Sequence, residues 1–427
     1  MRPVLSTLRR AAPYVFIVAL YAGMGTWVRW YRMGPDWGHY LTSARILLYG
    51  RHYTLPTGGT LSRTQYYSFS MPSVFGPIVL PQGPVGTIVI MPFVLLCDAA
   101  GWGMNFAAIS IIPWLAYLVF DVLAACELRR AVKRLRPEGG EAVGLFVFAV
   151  FLSSWIAFFN SPYHAHFESI LIYFMLVALR LDGAGSHLRS GALWGMALLT
   201  KPTAVLGVIT QAAILIRRRR WVGIGQLLAV AAAVVLVVLA PFLIGDFRNA
   251  FYALVHAPLA LPIEYMNIWW AFFTGLPRSH WAVVAVESWA NPVSLVLGAL
   301  AAGLFAWRRR IEPGSAANYG LTAFVSILVL MFLKWGSLHY YLLPFALLVV
   351  WEVACHRWPW ISLVYVGALS NVFILAFSGE TRAGVPGVRP PGIVLGWQSS
   401  WILIAVFVGT LLWLGLNLGK EHGAGTS

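Results

Sequence analysis

Stretches of about 20 mostly apolar residues recur along the chain, and short arginine-rich connectors separate several of them. No other feature constrains the fold as much. A run of that length spans the hydrocarbon core of a bilayer as a helix. Inside the core every backbone group must be hydrogen-bonded within the protein, which leaves helices or a closed barrel. These runs are continuous rather than alternating, so the expected fold class is an all-α polytopic membrane protein. Composition agrees: 59% of the 427 residues are hydrophobic, 11% are charged, and the mean hydropathy is +0.75. We expect a single integral membrane domain over residues 1–427, with roughly 11–13 transmembrane helices.

The net charge of +15 does not point to nucleic acid, because the cations sit in short runs between apolar segments. Arg2, Arg9 and Arg10 precede the first span, Pro13 to Trp30, which lacks a small-residue cleavage site and reads as a start-transfer helix. The positive-inside bias then puts the N-terminus in the cytoplasm. It also puts Arg129–Arg136, Arg217–Arg220, Arg308–Arg310, Arg357 and Lys420 on that side.

Two segments need an unusual reading for this parity to close. Val85 to Cys97, at about 13 residues, is short for a span and is expected as an in-plane or re-entrant helix. Gly191 to Ile216 is broken by Lys201-Pro202 and is expected as a hairpin of two short helices with Lys201 at its tip. The remaining spans fall near Asn105–Cys126, Ala142–Phe159, Phe167–Leu181, Val222–Ile244, Asn291–Trp307, Asn318–Leu333, Leu338–Cys355, Pro359–Phe377 and Ser400–Leu416. Two long external loops result, one over about residues 31–103 and one over about 246–290. The preference for Arg over Lys and the Ala/Val-rich spans fit the plasma (inner) membrane of a high-GC bacterium. Cys97, Cys126 and Cys355 lie in or beside apolar runs, with neither metal spacing nor a disulfide framework.

The polar residues outside the basic connectors fall mainly on the external side: Asp36, His39, Arg45, Arg51, His164, His166, Glu168, Lys201, Glu264, Lys334 and His339 among them. Ionisable groups at membrane depth usually face a cavity or a partner, so this one-sided accumulation marks an external-face site. Asp36 lies just past the first span and is the only carboxylate of its loop before Asp98. It suits a general base for an attacking hydroxyl; it would equally cap the helix that follows. Arg45 and Arg51 could hold phosphate bidentately or meet lipid headgroups. Lys201 and His339 could offset the charge of a leaving phosphate, or snorkel to the interface. His164, His166 and Glu168 invite a metal, but their i, i+2, i+4 spacing does not put three ligands on one helix face, so no metal is expected. Asp121, within the second span, has no evident role beyond structure.

At these residues the sequence resembles the GT-C superfamily of polyprenyl-phosphate-sugar glycosyltransferases, nearest its GPI mannosyltransferase and lipid-linked-oligosaccharide glucosyltransferase branches. The resemblance is carried by Asp36-Trp37, Ala44-Arg45, Gly50-Arg51 and Tyr53. It continues through the tyrosine- and proline-rich Tyr66 to Pro84, Glu168 to Leu171, Lys201, and HYYLLPF at His339–Phe345, in the same order up to about residue 350. The chain departs from the family at Gly34, where a second Asp often stands, and at Tyr340, where some relatives carry Glu after the histidine.

The resemblance implies a GT-C-like bundle with in-plane helices in a long first external loop. It implies inverting transfer of a hexose, of mannose or glucose type, from a polyprenyl-phosphate-linked donor to a lipid or glycan acceptor hydroxyl. Asp36 would be the base. His39, Arg45, Arg51, Tyr66, Tyr67, His164, His166, Glu168, Lys201, His339 and Tyr340 would line the substrate site, among membrane lipids and with no nucleic acid. The donor already carries its leaving group, so no cofactor or divalent metal is expected. The reading from another class is a polytopic lipid or small-solute transporter or flippase, which would favour inverted repeats and polar groups along a path. No such repeat is visible in the sequence.

Overall fold

The computed structural model describes residues 2–31, 37–56, 58–73, 76–79, 83–256, 267–273, 276, 279–334, 338–356, 358–380 and 391–418. Asp36, Glu264, Arg357 and Lys420 lie outside the described residues.

The protein is an all-α polytopic membrane protein. Its helices are α1 (Arg2–Tyr31), α2 (Trp37–Tyr49), α3 (Val85–Ala99), α4 (Phe106–Ile111), α5 (Trp114–Leu135), α6 (Gly140–Ser153), α7 (Trp155–Phe158), α8 (Glu168–Gly183) and α9 (His187–Thr200). They continue with α10 (Val205–Arg217), α11 (Trp221–Gly245), α12 (Phe247–Phe251), α13 (Ile268–Phe273), α14 (Trp281–Arg309), α15 (Ala316–Phe332), α16 (Leu342–Cys355), α17 (Trp360–Glu380) and α18 (Pro391–Asn417). One short antiparallel pair, β1 (Ser70–Ser73) with β2 (Gly76–Val79), interrupts the first loop.

Among the described residues, four helical segments are long and apolar enough to cross a membrane: Ala11–Tyr31, Phe106–Leu135, Trp221–Gly245 and Trp281–Arg309. A fifth is the bent pair Pro137–Ser153 and Trp155–Tyr163, which turns by 49°. Ser154 makes that bend: its hydroxyl donates to the Phe151 carbonyl (2.7 Å) and accepts from the Ala157 amide (3.3 Å), ending one helix and capping the next. Shorter apolar helices fill the interior. α15 and α16 are predominantly apolar and buried along nearly their whole length, as core helices of a bundle are. By contrast α11 exposes Val222, Leu236, Val237 and Ile244, a surface suited to lipid.

Packing gathers the connectors at two ends. At the basic end, Arg134 donates to the Gly314 carbonyl (3.0 Å), Arg136 to those of Val353 and His356, Arg218 to that of Arg310 (2.7 Å), and Arg309 to that of Gly415 (3.2 Å). These are connectors that the charge pattern assigns to one side. At the other end the first loop meets the second: Ser68 and Asn249 bond Asp246, and Asn267 donates to the Lys334 carbonyl (2.8 Å).

The expected hairpin is present. Lys201 is extended (φ −148°, ψ 139°), as a residue before proline should be, and Pro202 opens the next turn. α10 then returns, so that α9 and α11 start at the same end and run parallel. His187 lies against Gly223, Gly191 against Leu227, and Gly195 against Ala231 and Val234. A Cβ at Gly191 would sit 2.6 Å from the Leu227 carbonyl oxygen, and one at Gly195 would sit 2.9 Å from that of Ala231. Gly191-x-x-x-Gly195 thus lets two backbones approach as closely as small-residue membrane motifs allow.

Several boundaries differ from expectation. The second span runs on through the basic connector to Leu135, because long basic side chains reach carbonyls of neighbouring helices without ending their own. α14 starts at Trp281, ten residues before the expected Asn291, because His280 caps it: His280 Nδ1 accepts from the Ala282 amide at 3.3 Å. The expected span at Leu338 opens instead as a 3-10 turn, Leu338–Tyr341, before α16. α18 begins at Pro391, nine residues before the expected Ser400.

Candidate functional site

The chemistry converges on the tip of the α9–α10 hairpin. Glu168 opens α8, Lys201 is the hairpin tip, and His339 lies in the 3-10 turn before α16. Lys201 and Glu168, each 1% exposed, form an ion pair. His339 Nε2 lies 3.9 Å from Glu168 Oε1. The His339 ring stacks on that of His166, with centroids 4.1 Å apart and planes at 21°, and the His164 ring follows at 5.6 Å from His166. Lys201 Nζ also sits 4.6 Å from the Tyr340 ring centroid and 5.6 Å from that of Phe167, contacts of cation–π type.

Local backbone sets this geometry. The end of the bent span unwinds into a π turn at Phe159–Tyr163 that contains Pro162. Ala165 follows in the left-handed region (φ 58°), rare for a non-glycine residue, and is fully buried. Its amide bonds the Ser161 carbonyl (2.9 Å) and the His166 amide bonds the Asn160 carbonyl (2.8 Å). Strain of this kind, held between two histidines, is characteristic of a functional site. Glycines admit the rest: a Cβ at Gly83 would lie 1.7 Å from the Leu199 carbonyl oxygen, and one at Gly86 would lie 2.7 Å from the Phe167 ring. The glycines of the first loop are therefore pressed against the end of α9 and against Phe167, the residue before α8.

The first loop reaches this centre through α2. Trp37, the residue after Asp36, is fully buried against Tyr40 and Tyr117, with ring centroids at 6.5 and 5.7 Å. Tyr40 places its hydroxyl 3.3 Å from His166 Nδ1. Asp36 itself lies outside the described residues, so its side chain is not placed.

The other expected site residues divide. His164, His166, Glu168, Lys201, His339 and Tyr340 come together. Arg45 does not join them: it bonds Asp98 through two nitrogens (3.1 and 2.6 Å) and the Gly103 carbonyl (3.1 Å). Hydrogen bonding to Asp98 raises the Arg45 guanidinium above its ordinary range. The first loop's second carboxylate thus claims that arginine as a structural tie, with Tyr49 donating to it as well (3.1 Å). Arg51 is exposed. His39 packs edge-on against Phe69 at 4.8 Å. Tyr66 and Tyr67 pack on each other and on Phe242, and Tyr66 shares a hydrogen bond with Thr87 (2.9 Å). Burial pushes the Tyr66 phenol up to about 12, so it stays neutral. Lys334 bonds the Glu287 carbonyl (2.9 Å), and burial lowers its ammonium below the ordinary range.

Two residues of this neighbourhood carry little signal in the sequence. Tyr40 had no signal beyond its place between His39 and Leu41. Arg29, in the last turn of α1, has no sequence signal that singles it out; it is fully buried. Its Nε donates to the Ser110 carbonyl (3.1 Å) and its guanidinium lies 4.7 Å from the Trp37 ring centroid, while among the described residues Nη1 and Nη2 have no hydrogen-bond partner. Asp121, expected as structural, accepts from Tyr21 (3.1 Å) and Ser169, linking α1, α5 and α8 directly behind Glu168.

No protein-family model matches this chain, and no curated protein sequence matches it.

Proposed function

We propose that the protein is an inverting membrane hexosyltransferase. It moves a mannose- or glucose-type sugar from a polyprenyl-phosphate donor to the hydroxyl of a lipid or glycan acceptor. The observation that carries this reading is the centre of Lys201, Glu168, His166 and His339, drawn from three separate segments at one end of the bundle. A leaving phosphate develops negative charge, and preorganised donors in a water-poor site are the efficient way to stabilise it. Lys201 supplies such a donor, and Glu168 and the Tyr340 ring fix its ammonium in place. Asp36 is the base in this proposal, removing the acceptor proton, and α2 links its loop to the centre through Trp37 and Tyr40. The lipid tail would enter between helices. The basic end would face the cytoplasm together with the N-terminus, and the reaction face would lie outside the plasma membrane of a bacterium.

The test is transfer of radiolabelled sugar from a panel of polyprenyl-phosphate donors by the purified protein. Asp36→Asn and Asp36→Ala, at wild-type expression, should lose at least 100-fold in kcat, the low end for an essential general base. Full activity in both variants would remove Asp36 from the mechanism. Vectorial movement of lipid in reconstituted vesicles, with no transfer, would replace the reading by a transporter.

A further inference from the structure

We propose that His166, Glu168 and His339 form a binding site for a transition-metal cation of the zinc class. One nitrogen from each imidazole and one carboxylate oxygen all lie within 4.8 Å of one another. A tetrahedral ion with bonds near 2.1 Å needs donors about 3.4 Å apart, a closure within reach of side-chain rotation.

On one helix, the i, i+2, i+4 spacing within HAHFES does not bring three ligands to one face. The fold removes that restriction, because the third donor comes from the turn before α16, far away in sequence. Two further observations point to a ligand. Glu168 Oε2 is buried and, among the described residues, has no hydrogen-bond partner, although the residue is only 1% exposed. Oε1 holds Lys201, so the carboxylate can bridge an ammonium on one oxygen and a metal on the other. Tyr40 approaches His166 at Nδ1 and supplies the kind of outer partner that fixes a metal-bound imidazole.

The donor set selects the ion. Two imidazoles and one carboxylate suit Zn²⁺ and its neighbours, whereas Mg²⁺ and Ca²⁺ prefer oxygen shells. Three protein donors leave a position open for water or an anionic oxygen. The Lys201 charge opposes the ion, which sets a distinctive expectation: removing that charge strengthens binding.

The experiment is independent of sugar transfer. Protein purified without a polyhistidine tag and stripped with chelator is dialysed against Zn²⁺, and bound metal is measured by elemental analysis. One equivalent is expected. His166→Ala, His339→Ala and Glu168→Gln should each weaken binding at least tenfold, and Lys201→Met should tighten it. His339→Cys, loaded with Co²⁺, should show a thiolate-to-cobalt charge-transfer band, a signal that needs a correctly folded site. Wild-type protein that binds no equivalent, wild-type affinity in all three ligand variants, or a His339→Cys protein without the band would overturn the proposal.

Discussion

Glu168 and Lys201 are each nearly sealed from solvent, and their pairing makes opposite demands on stability and function. Removing one partner of a buried ion pair strands the other charge and destabilises by about 3–5 kcal/mol, whereas replacing both by apolar groups is often neutral or better. Lys201→Met and Glu168→Leu are each expected to lower the thermal midpoint in detergent. The double variant should recover most of that loss, with transfer activity still absent. Scanning calorimetry beside the transfer assay separates the two effects; a double variant as unstable as the sum of the singles would show that the charges are not coupled. The sequence marked both residues individually. Their partnership was not legible, because 33 positions separate them and two helices must fold before they meet.

At the scale of elements, the first loop is a wedge rather than a cover. Gly83 and Gly86 touch the hairpin tip and Phe167 so closely that no side chain fits. Gly83→Ala would drive a methyl into the Leu199 carbonyl, a rigid backbone target, and should destabilise by at least about 1–3 kcal/mol. Loss of wild-type resistance to limited proteolysis in the first loop is the measurement that checks it. Gly58→Ala meets nothing within 4 Å and is the control, although its φ of +84° carries a backbone penalty of its own. The hairpin was legible for a definite reason: Lys-Pro cannot continue a helix, and the charge parity required a return. The Gly191-x-x-x-Gly195 contact beneath it was not, since α9 and α11 are parallel only because α10 doubles back.

For the whole molecule, the charge pattern divides the connectors between two ends, and the fold brings each set together. With Cys97, Cys126 and Cys355 replaced, a cysteine at Thr60 should react with a membrane-impermeant thiol reagent on intact cells, and one at Arg189 should not. Both positions are exposed and lie at opposite ends. The reverse labelling would put the candidate site on the cytoplasmic face.

The sequence by itself determined that the chain is helical and membrane-embedded, that it breaks at Lys201-Pro202, and which connectors share an end. Those properties follow from local hydropathy, proline stereochemistry and the distribution of charge, all readable in one dimension. Only the tertiary structure decided which polar residues meet. Asp98 took Arg45 away from the site and Tyr40 entered it, while His339 completed a donor set that the HAHFES spacing alone could not supply. Such pairings depend on how helices rotate and cross in three dimensions, and neither hydropathy nor spacing along the chain encodes that directly.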